Sequence, residues 1–257
     1  MPIYLQQIDV NTFQIDGVHF FITYDPQELR DRQSSKDSFV VAKSQSSISN
    51  VISMTSKMEV RNVLELGIFK GGSTVLYSKL FNPRKLIAIE SVADPVPALD
   101  EFVKGSGLDE RIKLVYGVDQ SDHSAMTGIL SHEFPNRDID LIVDDASHHY
   151  YETKVSFEVV FPYLRPGGLY VIEKWGWAHW PGGHWQENGG VWHDKPALTN
   201  LVIEILMLSA SRPGLIDDVL INHETVFIRR GYLDLGETDT DILGSYLTRG
   251  KGFAPIL

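Results

Sequence analysis

The chain contains no cysteine. That excludes disulfides, thiolate metal centres, iron–sulfur clusters and a cysteine nucleophile. It also lacks a long apolar run. The longest stretch, LVIEILML at 201–208, is interrupted by Glu204 and falls short of the roughly 18 residues a membrane span needs. Basic blocks are absent as well: 23 Lys and Arg stand against 34 Asp and Glu, a formal net charge of −11. Such a balance points away from nucleic acid and membrane surfaces and towards a small-molecule substrate. The opening MPIYLQQIDV has neither a basic nor an apolar leader segment, so no signal peptide and a soluble, cytoplasmic protein are expected. What the chain does have is length, since 257 residues suffice for a large α/β core without staples.

Two kinds of pattern divide it. In the first two dozen residues TFQI and VHFFITY alternate apolar and polar side chains around Asp16-Gly17, a strong hairpin turn. Residues 25–43 read as a polar, exposed connection, and a helical pattern follows through Ile48, Val51, Ile52, Met54 and Met58. From residue 61 short apolar runs alternate with helix-length segments: NVLELGI, KLIAIES, IKLVYGV, DIDLIVDDAS and GGLYVIE, separated by 73–81, 95–106, 123–133 and 151–164. A further helix is expected at 195–210. DDVLINHE and TVFIRRG close the pattern as an antiparallel edge pair, before a Gly- and Asp-rich irregular tail. The expected fold is α/β: a doubly wound, mostly parallel, seven-stranded Rossmann-like sheet with an antiparallel edge hairpin, plus an N-terminal β-hairpin. Residues 1–44 then form the hairpin and its connection, and 45–257 the main domain. The hairpin is also a place where copies of the chain could meet in a homo-oligomer.

ELGIFKGGST (65–74) lies between the first strand of the main domain and its helix. Gly67, Gly71 and Ser73 there offer close backbone approach and free helix N-terminal amides. The simpler alternative is a glycine turn that only packs helix on strand. A dinucleotide would want GxGxxG, but Phe69 stands where the second glycine belongs, so a ligand without a pyrophosphate suits the loop better. Glu90 ends the next strand, where a carboxylate can accept from two ribose hydroxyls. Asp119 follows the third strand, within reach of an adenine amine. Asp122 reads as the cap of the helix that starts at His123. These residues, in this order on successive strands, resemble the class I S-adenosylmethionine (SAM) methyltransferases. The resemblance implies that Glu65, Gly67, Gly71, Ser73, Glu90, Asp119 and Asp144 bind the cofactor, Glu65 near its amino group.

A second signature occupies LIVDDASHHYYETKVSFEVVFPYLRPGGLYVIEK (141–174). Two adjacent strands end in Asp144-Asp145 and in Glu173, with His148 and His149 close behind. Carboxylates suit a hard cation such as Mg²⁺, and a histidine beside them could take a proton from a hydroxyl. Glu152 and Lys154 read as a solvated helix face. The stretch resembles the metal-dependent O-methyltransferases of macrolide and aminocoumarin tailoring, with the cephalosporin-hydroxylase and rhamnosyl methyltransferase group. The resemblance, over roughly 45–231, implies Asp145 and Glu173 as metal ligands and His148 as general base, with His149 its competitor. Where that family has a second acid after the glutamate, this chain has Lys174. Three outcomes stay open: a metal kept by Asp144, Asp145 and Glu173, a Lys174 ammonium in its place, or a SAM-binding protein of other chemistry. An iron-dependent hydroxylase is the rival from another enzyme class.

All five tryptophans fall in 175–192, with Gly182, Gly183, Gly189, Gly190 and, nearby, His179, His184 and His193. An aromatic loop following a strand reads as a lid or substrate wall over 175–194. The function expected is O-methylation of a hydroxyl on a small natural product or glycosyl group. SAM is the cofactor, and a cation, Mg²⁺ or Lys174, steadies the alkoxide.

Overall fold

A computed structural model describes residues 5–180, 193–235 and 242–244. The chain divides into two compact units, 1–118 and 119–257.

The first unit opens with β1 (Gln6–Gln7), β2 (Thr12–Ile15) and β3 (Val18–Ile22), joined antiparallel. Asp16 (φ 47°) and Gly17 (φ 80°) both lie in the left-handed region, as a tight hairpin turn requires. Phe13 stacks on Phe20 across the pair, 5.2 Å between ring centres. Next comes α1 (Pro26–Asp31), capped by the Asp25 carboxylate on the amides of Gln27 and Glu28. Then β4 (Ser38–Val41) pairs parallel with β3, making a four-stranded sheet. This corrects the reading of 25–43 as an exposed connection. The charges of 25–37 hide the run Phe39-Val40-Val41, which is buried.

After α2 (Gln45–Thr55), capped by Ser44, the main sheet begins. β5 (Asn62–Leu66), α3 (Gly72–Phe81), β6 (Lys85–Glu90), α4 (Pro97–Gly105) and β7 (Ile112–Tyr116) alternate as predicted, and the three strands are parallel. The start of α3 is pressed against β4. A Cβ on Gly72 would stand 2.1 Å from the Val40 carbonyl oxygen, so only glycine fits.

The second unit contributes α5 (His123–Glu133), β8 (Ile139–Asp144), α6 (Tyr150–Val160), β9 (Leu164–Glu173), α7 (Thr199–Ser211), β10 (Ile216–Ile221) and β11 (Thr225–Arg230). Asp122 caps α5 through the Ala125 amide, as expected. β8 and β9 are parallel, and β11 and β10 follow antiparallel. β9 includes Pro166–Gly168, which sit in a register shift between Leu164 and Leu169, with Gly167 at φ 76°. In the first unit these strands run in the order β5-β6-β7, and in the second β10-β11-β9-β8. β10 is an outer strand with Asp217 and Asp218 exposed, and a bulge at its start. β8 is buried along its whole length, the mark of a strand covered on both faces. No helix among the described residues is long and apolar enough to cross a membrane.

Candidate active site

In the first unit the glycine loop leaves β5 at Gly67 (φ 93°), whose amide bonds the Ile89 carbonyl at 2.8 Å. Glu90, at the end of β6, then grips the loop. Its Oε2 accepts the amides of Ile68 and Phe69, each at 2.9 Å. Its Oε1 accepts the Ser91 hydroxyl and the Val92 amide, each at 3.1 Å. A carboxylate offers about four acceptor positions, so all are in use. Burial raises the Glu90 pKa, but these donors outweigh it and hold the carboxyl below its ordinary range. The two Oε1 bonds are the longer pair, and a ribose diol would compete there first.

Phe69 adopts φ 51° and is 54% exposed, its ring turned out from the loop. Gly71 (φ 80°) is the αL residue before α3, packed on Leu99. Ser73 is buried in the first helical turn. Glu65 has no exposed surface, and its Oε2 accepts the Thr74 hydroxyl at 2.6 Å. In this structure that carboxylate ties β5 to α3.

Asp119, the first residue of the second unit, lies in the loop that leads to α5. Its Oδ1 accepts the amide and hydroxyl of Ser121 at 2.7 and 2.6 Å, which lowers its pKa. Asp144, the last residue of β8, faces inward. Its Oδ2 takes the hydroxyls of Ser156 (2.8 Å) and Tyr170 (2.9 Å). Burial pushes its carboxyl up to about 6 against those bonds. Gln120 extends the network, donating to Ser156 Oγ at 3.0 Å and accepting the Ser147 amide at 2.8 Å. The network therefore fixes the loop that carries the two histidines. Gln120, Ser156 and Tyr170 escaped the sequence reading. The available signal was a carboxylate ending an apolar strand, which must find donors.

One residue on, the polar centre forms around Asp145. Lys174 Nζ bonds Asp145 Oδ1, and His148 Nε2 lies 3.7 Å from the same oxygen. Both members of the lysine pair are nearly closed off, each side chain 11% exposed. The geometry comes from unusual backbone. His148 (φ 58°) and Lys174 (φ 56°) are both left-handed, a conformation costly for such side chains and held by its surroundings. For Lys174 the hold is its amide, which bonds the Glu224 carbonyl at 2.6 Å. His148 meets Trp177 edge-on, 5.2 Å between rings. Glu173 is buried at the end of β9.

His149 starts α6 without capping it by its side chain. Lys195 Nζ stands 3.3 Å from its Nδ1 and Glu152 lies 3.8 Å away. Burial and the Lys195 charge lower its pKa, with Glu152 partly opposing them. Lys154 is not on a solvated face: it pairs with Glu204 of α7 at 2.9 Å, and the Tyr150 hydroxyl donates to the same glutamate at 2.5 Å.

Of the aromatic segment, Trp175 donates to the Asn222 carbonyl at 2.7 Å and His179 bonds Thr199 at 2.6 Å. Trp185, Trp192 and His184 lie outside the described residues, as does the middle of the expected lid. Among the described residues no three acidic or histidine side chains gather to hold a metal ion.

Comparison with known proteins gives this geometry a context. Residues 64–174 match a family profile described as a methyltransferase domain. The chain is 37% identical over 131 residues to demethylmacrocin O-methyltransferase of Streptomyces fradiae, a match spanning 48% of this chain and 29% of that protein. It is 36% identical over 127 residues to mycinamicin VI 2''-O-methyltransferase of Micromonospora griseorubida, spanning 47% and 28%. These matches thus reach less than a third of the curated relatives' length. Among solved structures, the mycinamycin-pathway methyltransferase MycE in complex with Mg and SAH aligns at a TM-score of 0.52 and 26% identity. That alignment covers 72% of this chain and 49% of MycE. The fold is the Rossmann-like α/β fold of methyltransferases.

Proposed function

We propose that this chain is a SAM-dependent O-methyltransferase whose acceptor is a hydroxyl of a glycosylated small molecule. The observation that carries the proposal is the convergence of His148 and Lys174 on Asp145, inside the stretch that matches a methyltransferase domain. The identity to O-methyltransferases named for demethylmacrocin, mycinamicin VI and a rhamnosyl tetracenomycin supports the acceptor class.

SAM supplies an electrophilic methyl group already activated by its sulfonium charge. Glu90 and the glycine loop are the residues proposed to hold it, Glu90 at the ribose, with Gly67, Gly71 and Ser73 lining the loop. Glu65, Asp119 and Asp144 complete the proposed cofactor set. The remaining work is to orient an oxygen and remove its proton. His148 is proposed as the base. Asp145 beside its Nε2 favours the imidazolium that forms, the arrangement a proton acceptor needs. His149, whose pKa is lowered by burial and the Lys195 charge, is its competitor. His148 would take the proton of the acceptor hydroxyl, whose oxygen would receive the methyl group that bound SAM supplies. His148 then passes the proton to solvent. A cation near the oxygen steadies the charge that develops there.

The test is titration of S-adenosylhomocysteine into the purified chain. Saturable binding near one per chain is expected, with loss of at least tenfold in Glu90→Gln, which keeps a carbonyl oxygen for the loop amides. No binding to the folded wild type refutes the cofactor assignment. With mycinamicin VI as probe acceptor, His148→Gln should lower turnover by about a hundredfold or more at unchanged cofactor affinity. Unchanged turnover removes His148 from the base's role.

A further inference from the structure

Resting on the methyl-transfer reading above, we propose that the Lys174 ammonium occupies the position of the divalent cation, so that this centre takes no metal. Three observations converge. The MycE structures hold Mg, whereas no three-ligand acidic or histidine set forms among the described residues here. Lys174 Nζ is bonded directly to Asp145, the acid that the resemblance assigns to the metal. Both side chains are almost closed to solvent, so the pair is a fixed part of the centre and not a surface contact.

The backbone makes the lysine's placement specific. Its left-handed φ and the amide bond to Glu224 turn the side chain back to Asp145 from the end of β9. A dication beside this ammonium would face a like charge in a site shielded from water, where the repulsion is weakly screened. An ammonium can do one of a metal's tasks. It presents a positive charge and directed N–H donors to an oxygen that is becoming an alkoxide. It cannot do another, because it offers no open coordination positions to orient two oxygens at once. Orientation of the acceptor then falls to the surrounding side chains, Trp177 against His148 among them.

The experiment uses Mn²⁺ as a paramagnetic probe, read by EPR, on the EDTA-treated full chain. Wild type should show no saturable Mn²⁺ binding up to 1 mM. Lys174→Asp should gain one site per chain, at least tenfold tighter than any wild-type binding, and Asp145→Asn in that background should abolish it. Lys174→Asn removes the ammonium at a backbone position that asparagine and aspartate tolerate well, and decides the matter if the aspartate variant misfolds. It should also gain at least tenfold. One tight Mn²⁺ per wild-type chain, lost in Asp145→Asn, overturns the proposal. So does a failure of both Lys174 variants to bind better than wild type. Calorimetric binding of S-adenosylhomocysteine to the same metal-free wild type reports separately on the cofactor reading. Its failure would sink that reading while leaving the Mn²⁺ result to judge the lysine.

Discussion

Replacing Asp144 by asparagine should flatten the dependence of stability on pH. Asp144 is 2% exposed, and burial lifts its carboxyl from 3.8 to about 6, the hydroxyls of Ser156 and Tyr170 opposing the shift. The folded chain therefore binds this proton more tightly than the unfolded chain. Between the two values the folded state carries more protons, so stability falls as pH rises. A shift of about 2 units corresponds to a span of about 3 kcal/mol, present below pH 3.8 and gone above about pH 7. About 1 kcal/mol of it separates pH 5 from pH 8. Asparagine keeps a carbonyl for both hydroxyls and has no charge to bury. Urea denaturation at pH 5 and pH 8, followed by tryptophan fluorescence, reads both proteins. The gain in wild type on moving to pH 5 should exceed that in Asp144→Asn by about 1 kcal/mol. Equal changes in the two proteins would show that the carboxyl is not held unfavourably charged, and the buried-network argument would fail.

Two further substitutions test the packing and capping arguments. Gly72→Ala puts a methyl group 2.1 Å from the Val40 carbonyl and should cost about 3 kcal/mol, read as a lowered melting temperature. A wild-type melting point would mean that β4 does not press on α3. Asp122→Ala removes the cap on the Ala125 amide and should cost about 1 kcal/mol, whereas Asp122→Asn should be nearly neutral. Equal losses in both would point to the charge and not to the cap.

The main sheet was legible because its strands are apolar runs cut by glycine, and its helices carry caps such as Asp122. β4 was not, because its three apolar residues follow a dozen charged and polar ones. Lys154 was misread because its partner, Glu204, is 50 residues away on α7 and no local spacing joins them. The same glutamate that breaks the apolar run of α7 is thus the receptor for Tyr150 and Lys154. Spacing placed Asp145, His148 and Lys174 at strand ends. It could not show that His148 and Lys174 turn through left-handed backbone, since neither residue type advertises that conformation. Nor could it show that Asp144 and Asp145 part company. Asp144 ends β8 and enters the interior network, whereas Asp145, one residue past the strand, meets the lysine.

The bulge and paired acids of β10 bear on how the protein avoids its own kind. An outer strand leaves a row of backbone donors and acceptors that another chain could extend as a further strand. Here Asp217 is the extra residue of the bulge, and Asp218, held by Arg229 at 3.3 Å, follows it. The bulge breaks the straight hydrogen-bonding row, and the charges would face those of an identical strand laid alongside. Leu220 and Ile221, 44% and 39% exposed, would otherwise make this edge adhesive. Neutralising both aspartates would remove that safeguard against edge-to-edge aggregation without touching the hydrophobic core.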